Sequence, residues 1–284
     1  MKNNKTIDLK NYTVPAGKVL VMKQVSPKNT AYNGFEWPDL GFVECEKWEA
    51  KEECGNGLHG FLKGAGNGSL ADYDKDAIWK LCEVEENGII DLKGKVKFKN
   101  AEVIFSGCLK DVADIMSKLY PNTCVIGCTA TAGDSGTATA GDSGTATAGD
   151  SGTATAGDRG TATAGDSGTA TAGNSGTATA GNSGTATAGN RGTATAGNRG
   201  TATAGYSGTA TAGDRGTATA GDSGTATAGD SGTATAGDSG VLIITYYDNA
   251  KSQYLRKVAL VGYNGILHNV KYRINDNYEF EKVS

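Results

Sequence analysis

Cys54, Asn56 and His59 fall close together in the segment CGNGLHG, and with Lys95 and Lys97 they are the side chains outside the repeats best suited to chemistry. A histidine among glycines can act as a base or a ligand, because its ordinary pKa lies near neutrality and glycine backbone wraps readily around a small anion. Cys54 and His59 are also spaced to form a thiolate pair, but no third residue that would orient the imidazole is evident. The structural alternative, a glycine turn with His59 bonded to backbone, is the reading we prefer. The chain has one other histidine, His268, and no CxxC pair, so a zinc site has little support. No metal, cofactor or catalytic residue is expected.

The string KGKVKFK, from Lys93 to Lys99, alternates lysine with other residues and would set four lysines on one face of a strand. Such a face suits an anionic ligand through Lys95 and Lys97. It also suits a charged sheet edge that blocks pairing with another chain, and we expect the edge.

These residues need a domain to hold them. Apolar alternation in KVLVMKQV, AIWKLCEVE, GIIDLKGKVKF and AEVIF reads as strands, while LKDVADIMSKLY places Leu109, Val112, Ile115, Met116 and Leu119 at helical spacing. Residues 1–128 are therefore read as a small α/β domain. The six cysteines all lie between Cys45 and Cys128, and the N-terminus is polar without an export-signal segment. We expect reduced thiols, mostly in the core, of a cytoplasmic protein. No apolar run reaches the ~20 residues of a membrane helix, and the net charge of −4 is not the basic field of a nucleic-acid binder.

From Thr129 to Gly240 the chain repeats TATAGxxG fourteen times without insertion or deletion. The sixth position is Asp nine times, Asn at 174, 182, 190 and 198, and Tyr at 206; the seventh is Ser ten times and Arg at 159, 191, 199 and 215. A linker has no need of such register. TATA alternates with period two and a β-branched residue at every other place, and GxxG reads as a turn whose glycines supply φ > 0. Two octapeptides then make a 16-residue coil, and the tract makes a parallel β-solenoid of about seven coils. Alanine should face inward, because a buried threonine hydroxyl needs a partner. Residues 241–284 bring back large apolar side chains in alternating runs and are read as a short β cap. The expected fold class is mainly β.

Outward threonines would form columns ~6.6 Å apart along a strand and ~4.8 Å apart between coils. We take Thr153, Thr155, Thr169, Thr171, Thr185, Thr187, Thr201 and Thr203 as a candidate contact face. Stacked Asp turns would also raise the question of calcium, but GDSG supplies a single carboxylate per turn, against the ~6–8 oxygens that Ca²⁺ takes. We read the turn residues as solvated.

The segment TATAGYSG at 201–208 resembles the octapeptides of bacterial ice-nucleation proteins, and TxT ladders resemble the ice-binding element of β-helical antifreeze proteins. That resemblance implies ice binding as an alternative function, although the stacked tyrosine of the nucleators is represented here by Tyr206 alone. The order of parts resembles an uncharacterised phage and bacterial family, through GFEWP at 34–38, CGNGLHG at 54–60, DLKGKVKF at 91–98 and the octapeptides. It implies a phage or mobile-element origin and brings no activity with it. The expected function is a non-enzymatic rod whose TxT faces serve self-association or binding of a protein partner, without nucleic acid or membrane. The rival is a ligand-binding or enzymatic N-terminal domain centred on CGNGLHG.

Overall fold

The computed structural model describes residues 11–71, 74, 76–121 and 123–283. The polar stretch Met1 to Lys10, on which the expectation about export partly rests, lies outside the described residues. The chain divides into two units, Met1–Thr129 and Ala130–Ser284.

The first unit contains β1 (Lys18–Val25), β2 (Gly41–Glu44), β3 (Leu58–Leu62), β4 (Ile78–Glu85), β5 (Ile90–Asp91), β6 (Val96–Phe98) and β7 (Asn100–Gly107). Among the described residues these form one sheet in the order β2-β7-β4-β1-β3-β6-β5, with antiparallel neighbours throughout. Alternation sends Val21, Val25, Cys82, Val84, Phe98 and Val103 into one core with Trp37. Helix α1 (Leu109–Leu119) buries Val112, Ala113 and Met116 and packs against β4 and β7, as its apolar spacing predicts.

Three expectations for this unit are overturned. GIIDLKGKVKF is not one strand, because β5 and β6 pair with each other, Ile90 opposite Lys97 and Asp91 opposite Val96. The chain reverses at Leu92–Lys95, where Lys93 has φ 57° and its N–H donates to Asp91 Oδ1 at 2.8 Å. Nor does the lysine string guard an edge: β6 lies between β3 and β5, and Lys97 is 1% exposed. The cysteines are also less buried than expected. Cys82 and Cys128 are in the core, whereas Cys54, Cys108 and Cys124 are exposed. The reason is their position in loops and at the start of α1, where Cys108 Sγ donates to Asp111 Oδ2 at 3.1 Å.

In the second unit each octapeptide contributes one strand, from β8 (Thr129–Thr131) to β21 (Thr233–Ala236), and alternate strands build two parallel sheets. Register is strict, with Thr opposite Thr and Ala opposite Ala sixteen residues away, as in Thr153 opposite Thr169 and Ala154 opposite Ala170. From Ala138 to Ala236 every repeat alanine is at most 4% exposed, while the threonines point outward. The fold is therefore a parallel β-solenoid of about seven coils.

The turns differ from expectation in an instructive way. The repeat glycines do not have positive φ; the seventh residue does, Ser or Arg alike, at 52–60° from Ser135 to Ser239. A positive φ at the third turn position belongs to a type II turn, where Gly or Asn is usual. From Gly149 onward glycine is required at the fifth and eighth positions for space. A Cβ on Gly157 would lie 2.1 Å from Asp142 Oδ1, and one on Gly160 would lie 2.7 Å from Ala156 Cβ.

Beyond the repeats, β22 (Val241–Asp248) extends one ladder parallel to β20 (Thr225–Ala228), with Leu242 and Ile244 stacked on the inward alanines Ala226 and Ala228. β23 (Gln253–Leu260) then pairs antiparallel with β22 and ends that sheet. On the other sheet β24 (Tyr272–Ile274) sets the buried Tyr272 opposite Ala234, and β25 (Phe280–Lys282) pairs antiparallel beyond it. Large side chains thus enter the inward columns where stacking stops, and antiparallel hairpins replace the parallel ladder.

Candidate functional site

The sequence points to two places, and the structure treats them differently. In the second unit all eight candidate threonines lie on one sheet. Thr153, Thr169, Thr185 and Thr201 form one column, and Thr155, Thr171, Thr187 and Thr203 form the next, through direct register pairs. The first column is exposed and the second half-buried. This placement follows from alternation alone, since residues two apart on a strand share a face.

The turns add a second set of bonds to the strand ladders that keep the columns in register. The side-chain Oδ1 of each sixth residue accepts the backbone N–H of the sixth residue one coil later: Asp134 from Asp150 at 3.1 Å, Asp158 from Asn174 at 2.7 Å and Asn182 from Asn198 at 3.0 Å. In return, the seventh residue's N–H donates to the next coil's sixth carbonyl, as Ser135 does to Asp150 O at 2.8 Å. The turn residues are therefore structural acceptors as well as solvated groups. Asp and Asn interchange at the sixth position because both present an Oδ1 at the same place. Tyr206 has none, and the series is interrupted between it and Asp222. The repeated Asp/Asn choice was the signal of this role.

In the first unit the CGNGLHG residues do not converge. Cys54 and Asn56 are exposed, and Asn56 serves its neighbour Glu49, whose N–H donates to Asn56 O at 3.0 Å. Lys97 is buried with its ammonium spent on Lys51 O at 3.0 Å and Glu53 O at 3.1 Å, 5.5 Å from the centre of the Trp48 ring. The glycines make close approaches possible: a Cβ on Gly57 would meet Lys97 Cγ at 2.6 Å, and one on Gly60 would meet Met22 O at 2.6 Å.

His59 and Lys95 do come together, with partners the motif did not include. The ladder between β1 and β3 has the pairs Val21 opposite Leu62 and Met22 opposite Phe61, and it stops before Lys23 and Gly60. Beyond the end of that ladder, a shallow open hollow of about 100 Å³ is lined by Lys23, Gln24, His59, Gly60, Phe61, Leu70 and Lys95. Burial, with Lys95, Lys23 and Lys97 nearby, pushes the His59 pKa down to about 4, so the ring is neutral at neutral pH. Its Nε2 is buried without a hydrogen-bond partner. Burial likewise lowers Lys23 to about 8. A signal for Lys23 existed in the sequence, since KVLVMKQV puts it on the same strand face as Val21 and Val25. Among the described residues no three His, Cys, Asp or Glu side chains are grouped to hold a metal ion, and no helix is long and apolar enough to cross a membrane.

Residues 19–114 match the model of a domain of unknown function, DUF7666. The matched span takes in GFEWP, CGNGLHG and DLKGKVKF. Among curated proteins the chain is similar to an ice nucleation protein of Pseudomonas fluorescens, 38% identical over 107 residues that make up 36% of this chain and 9% of the relative. It is similar also to one of Pseudomonas syringae, 39% identical over 92 residues, 32% of this chain and 8% of the relative. A third, of Xanthomonas campestris pv. translucens, is 32% identical over 106 residues, 37% of this chain and 7% of the relative. The octapeptides resemble those of ice nucleation proteins. The chain spans less than a tenth of the length of these relatives. No solved structure matches it.

Proposed function

We propose that the protein is a non-enzymatic, rigid β-solenoid that presents in-register TxT columns for self-association or for binding a protein partner. The solenoid and its ice-nucleation relatives fit a structural repeat protein. One observation supports the contact role above the rest: two straight columns of outward threonine over a core of alanines at most 4% exposed, a regular surface that local loops could not supply. The test substitutes Thr153, Thr169, Thr185 and Thr201 by Lys in the full chain and compares sedimentation at matched concentrations. Loss of a concentration-dependent assembly while circular dichroism is unchanged supports the reading. A wild-type chain that stays monomeric and captures no partner through this face overturns it.

The names of the relatives favour a second reading, that the same columns bind ice. Ice shaping and thermal hysteresis, lost on the same substitutions, are its expected signs. A cytoplasmic location and a phage or mobile-element origin belong to the proposal as well, and the genes that flank this one are the check on origin.

A further inference from the structure

We propose that β23 is the contact through which two copies of this chain join, edge to edge and antiparallel, about a two-fold axis at Val258. The argument begins with the backbone. Val261, one residue past β23, donates its N–H to Gly240 O at 2.9 Å, and Leu260 stands opposite Val241. Antiparallel partners alternate between pairs that exchange both bonds and pairs that exchange none. Ala259, Lys257, Leu255 and Gln253 therefore bond to β22, while Tyr254, Arg256, Val258 and Leu260 turn their N–H and C=O groups away from it. Among the described residues no strand lies beyond β23 to receive them.

An open edge of this kind is a template for another strand unless it is short, charged, bulged or covered. The other sheet ends on β25, three residues long and two of them charged, with Glu281 held by Arg273 at 2.7 Å. β23 has eight residues in unbroken register with β22. Of its four outward residues only Arg256 is charged, and Tyr254, Val258 and Leu260 are 63, 59 and 52% exposed. The apolar surface continues across the strand pair to Tyr247, whose ring centre lies 5.1 Å from that of Tyr254. Contiguous apolar surface left in water marks an interaction site.

Charge selects a second copy as the occupant. Like charges set directly opposite each other destabilise a strand pair. The neighbouring axes at Arg256 and at Lys257 would each oppose two like cations. The axis at Val258 sets Val258 opposite itself, Arg256 opposite Leu260 and, on the other face, Lys257 opposite Ala259, so the cations meet apolar side chains. In that register the residues that bond across the axis are those whose backbone groups already point outward. The edge is thus self-complementary, and its symmetry closes the assembly at a dimer. The threonine columns proposed above as a contact face lie on the other sheet, so the two readings fail separately.

Sedimentation equilibrium of the full chain over a range of concentrations should show a monomer–dimer equilibrium. Val258→Lys, which puts two ammonium groups at the axis, should weaken the dimer about tenfold or more. Val258→Pro removes an outward N–H and no bond to β22, and should weaken the dimer while circular dichroism stays unchanged. Tyr263→Ser, at an exposed site outside the strand, and the substitution of Thr153, Thr169, Thr185 and Thr201 by Lys should each change it less than about twofold. A wild type that stays monomeric, or a dimer that Val258→Lys leaves undiminished, overturns the proposal. A monomer that sediments with phosphatidylglycerol vesicles overturns it too and marks the patch as a lipid contact. Should Val258→Pro fail to fold, Val258→Lys still decides the matter.

Discussion

Gly189→Ala should weaken the solenoid and Gly133→Ala should strengthen it, although both glycines hold the fifth position of the octapeptide. At Gly189 the new Cβ would lie 2.7 Å from Asn174 Oδ1, 2.8 Å from Asn174 N and 2.9 Å from Gly173 C. Backbone atoms in a stacked coil cannot yield independently, so the overpacking costs about 1–3 kcal/mol. The displaced Asn174 oxygen is also the acceptor of the Asn190 N–H at 3.0 Å, and losing that bond costs about 0.5–1.5 kcal/mol. Against these, alanine restricts the unfolded chain and returns about 0.4–1 kcal/mol. The net loss is about 0.5–4 kcal/mol. At Gly133 nothing lies within 4 Å of the new Cβ and φ is not positive, so only the gain of about 0.4–1 kcal/mol remains. For a unit of this size each kcal/mol moves the midpoint by roughly 2–4 °C. Thermal unfolding of the full chain followed by far-ultraviolet circular dichroism should therefore place the two variants on opposite sides of the wild type. If both fall equally, glycine is present for its backbone freedom and the stacking argument is wrong.

Four further outcomes follow from the structure. Tyr206→Asn restores an acceptor for the Asp222 N–H and should raise the solenoid's midpoint by the equivalent of about 0.5–1.5 kcal/mol; an unchanged or lower melting temperature would show that the side-chain oxygens add no stability. Ala186→Val, at a position 0% exposed, should cost about 1–3 kcal/mol in urea unfolding. Thr185→Val on the outward face of the same strand should stay within about 0.5 kcal/mol. For His59 the folded pKa of about 4 lies below the ordinary histidine value of 6.5, so the unfolded chain takes up the proton first. The first unit should lose stability as pH falls from about 6.5 to about 4, and His59→Gln should flatten that slope in melts recorded across the range.

Much of the solenoid is legible in the sequence. An eight-residue period, alternation in TATA and the lack of large side chains leave alanine inside, threonine outside and sixteen residues per coil. The two threonine columns follow, because their placement depends on nothing beyond strand alternation and exact repetition. The helix from Leu109 to Leu119 was legible for a similar reason, a local apolar spacing that one neighbouring sheet could satisfy. The first unit's site was not. Cys54 and His59 are close in the chain, yet only His59 reaches the hollow, whose other walls come from Lys23, Leu70 and Lys95.

The sequence by itself determined the architecture of the repeats, since each octapeptide meets only copies of itself and local geometry is multiplied without change. Tertiary structure decided what the glycines are for and why Asp and Asn interchange: both answers lie in contacts to the coil sixteen residues away, where there is no room for a Cβ and a backbone N–H waits for an oxygen. It also decided the fate of the lysines. Identical residue types in one string end as a buried Lys97 bonded to two carbonyls and a half-buried Lys95, because the turn at Leu92–Lys95 and the place of β6 between β3 and β5 set their surroundings.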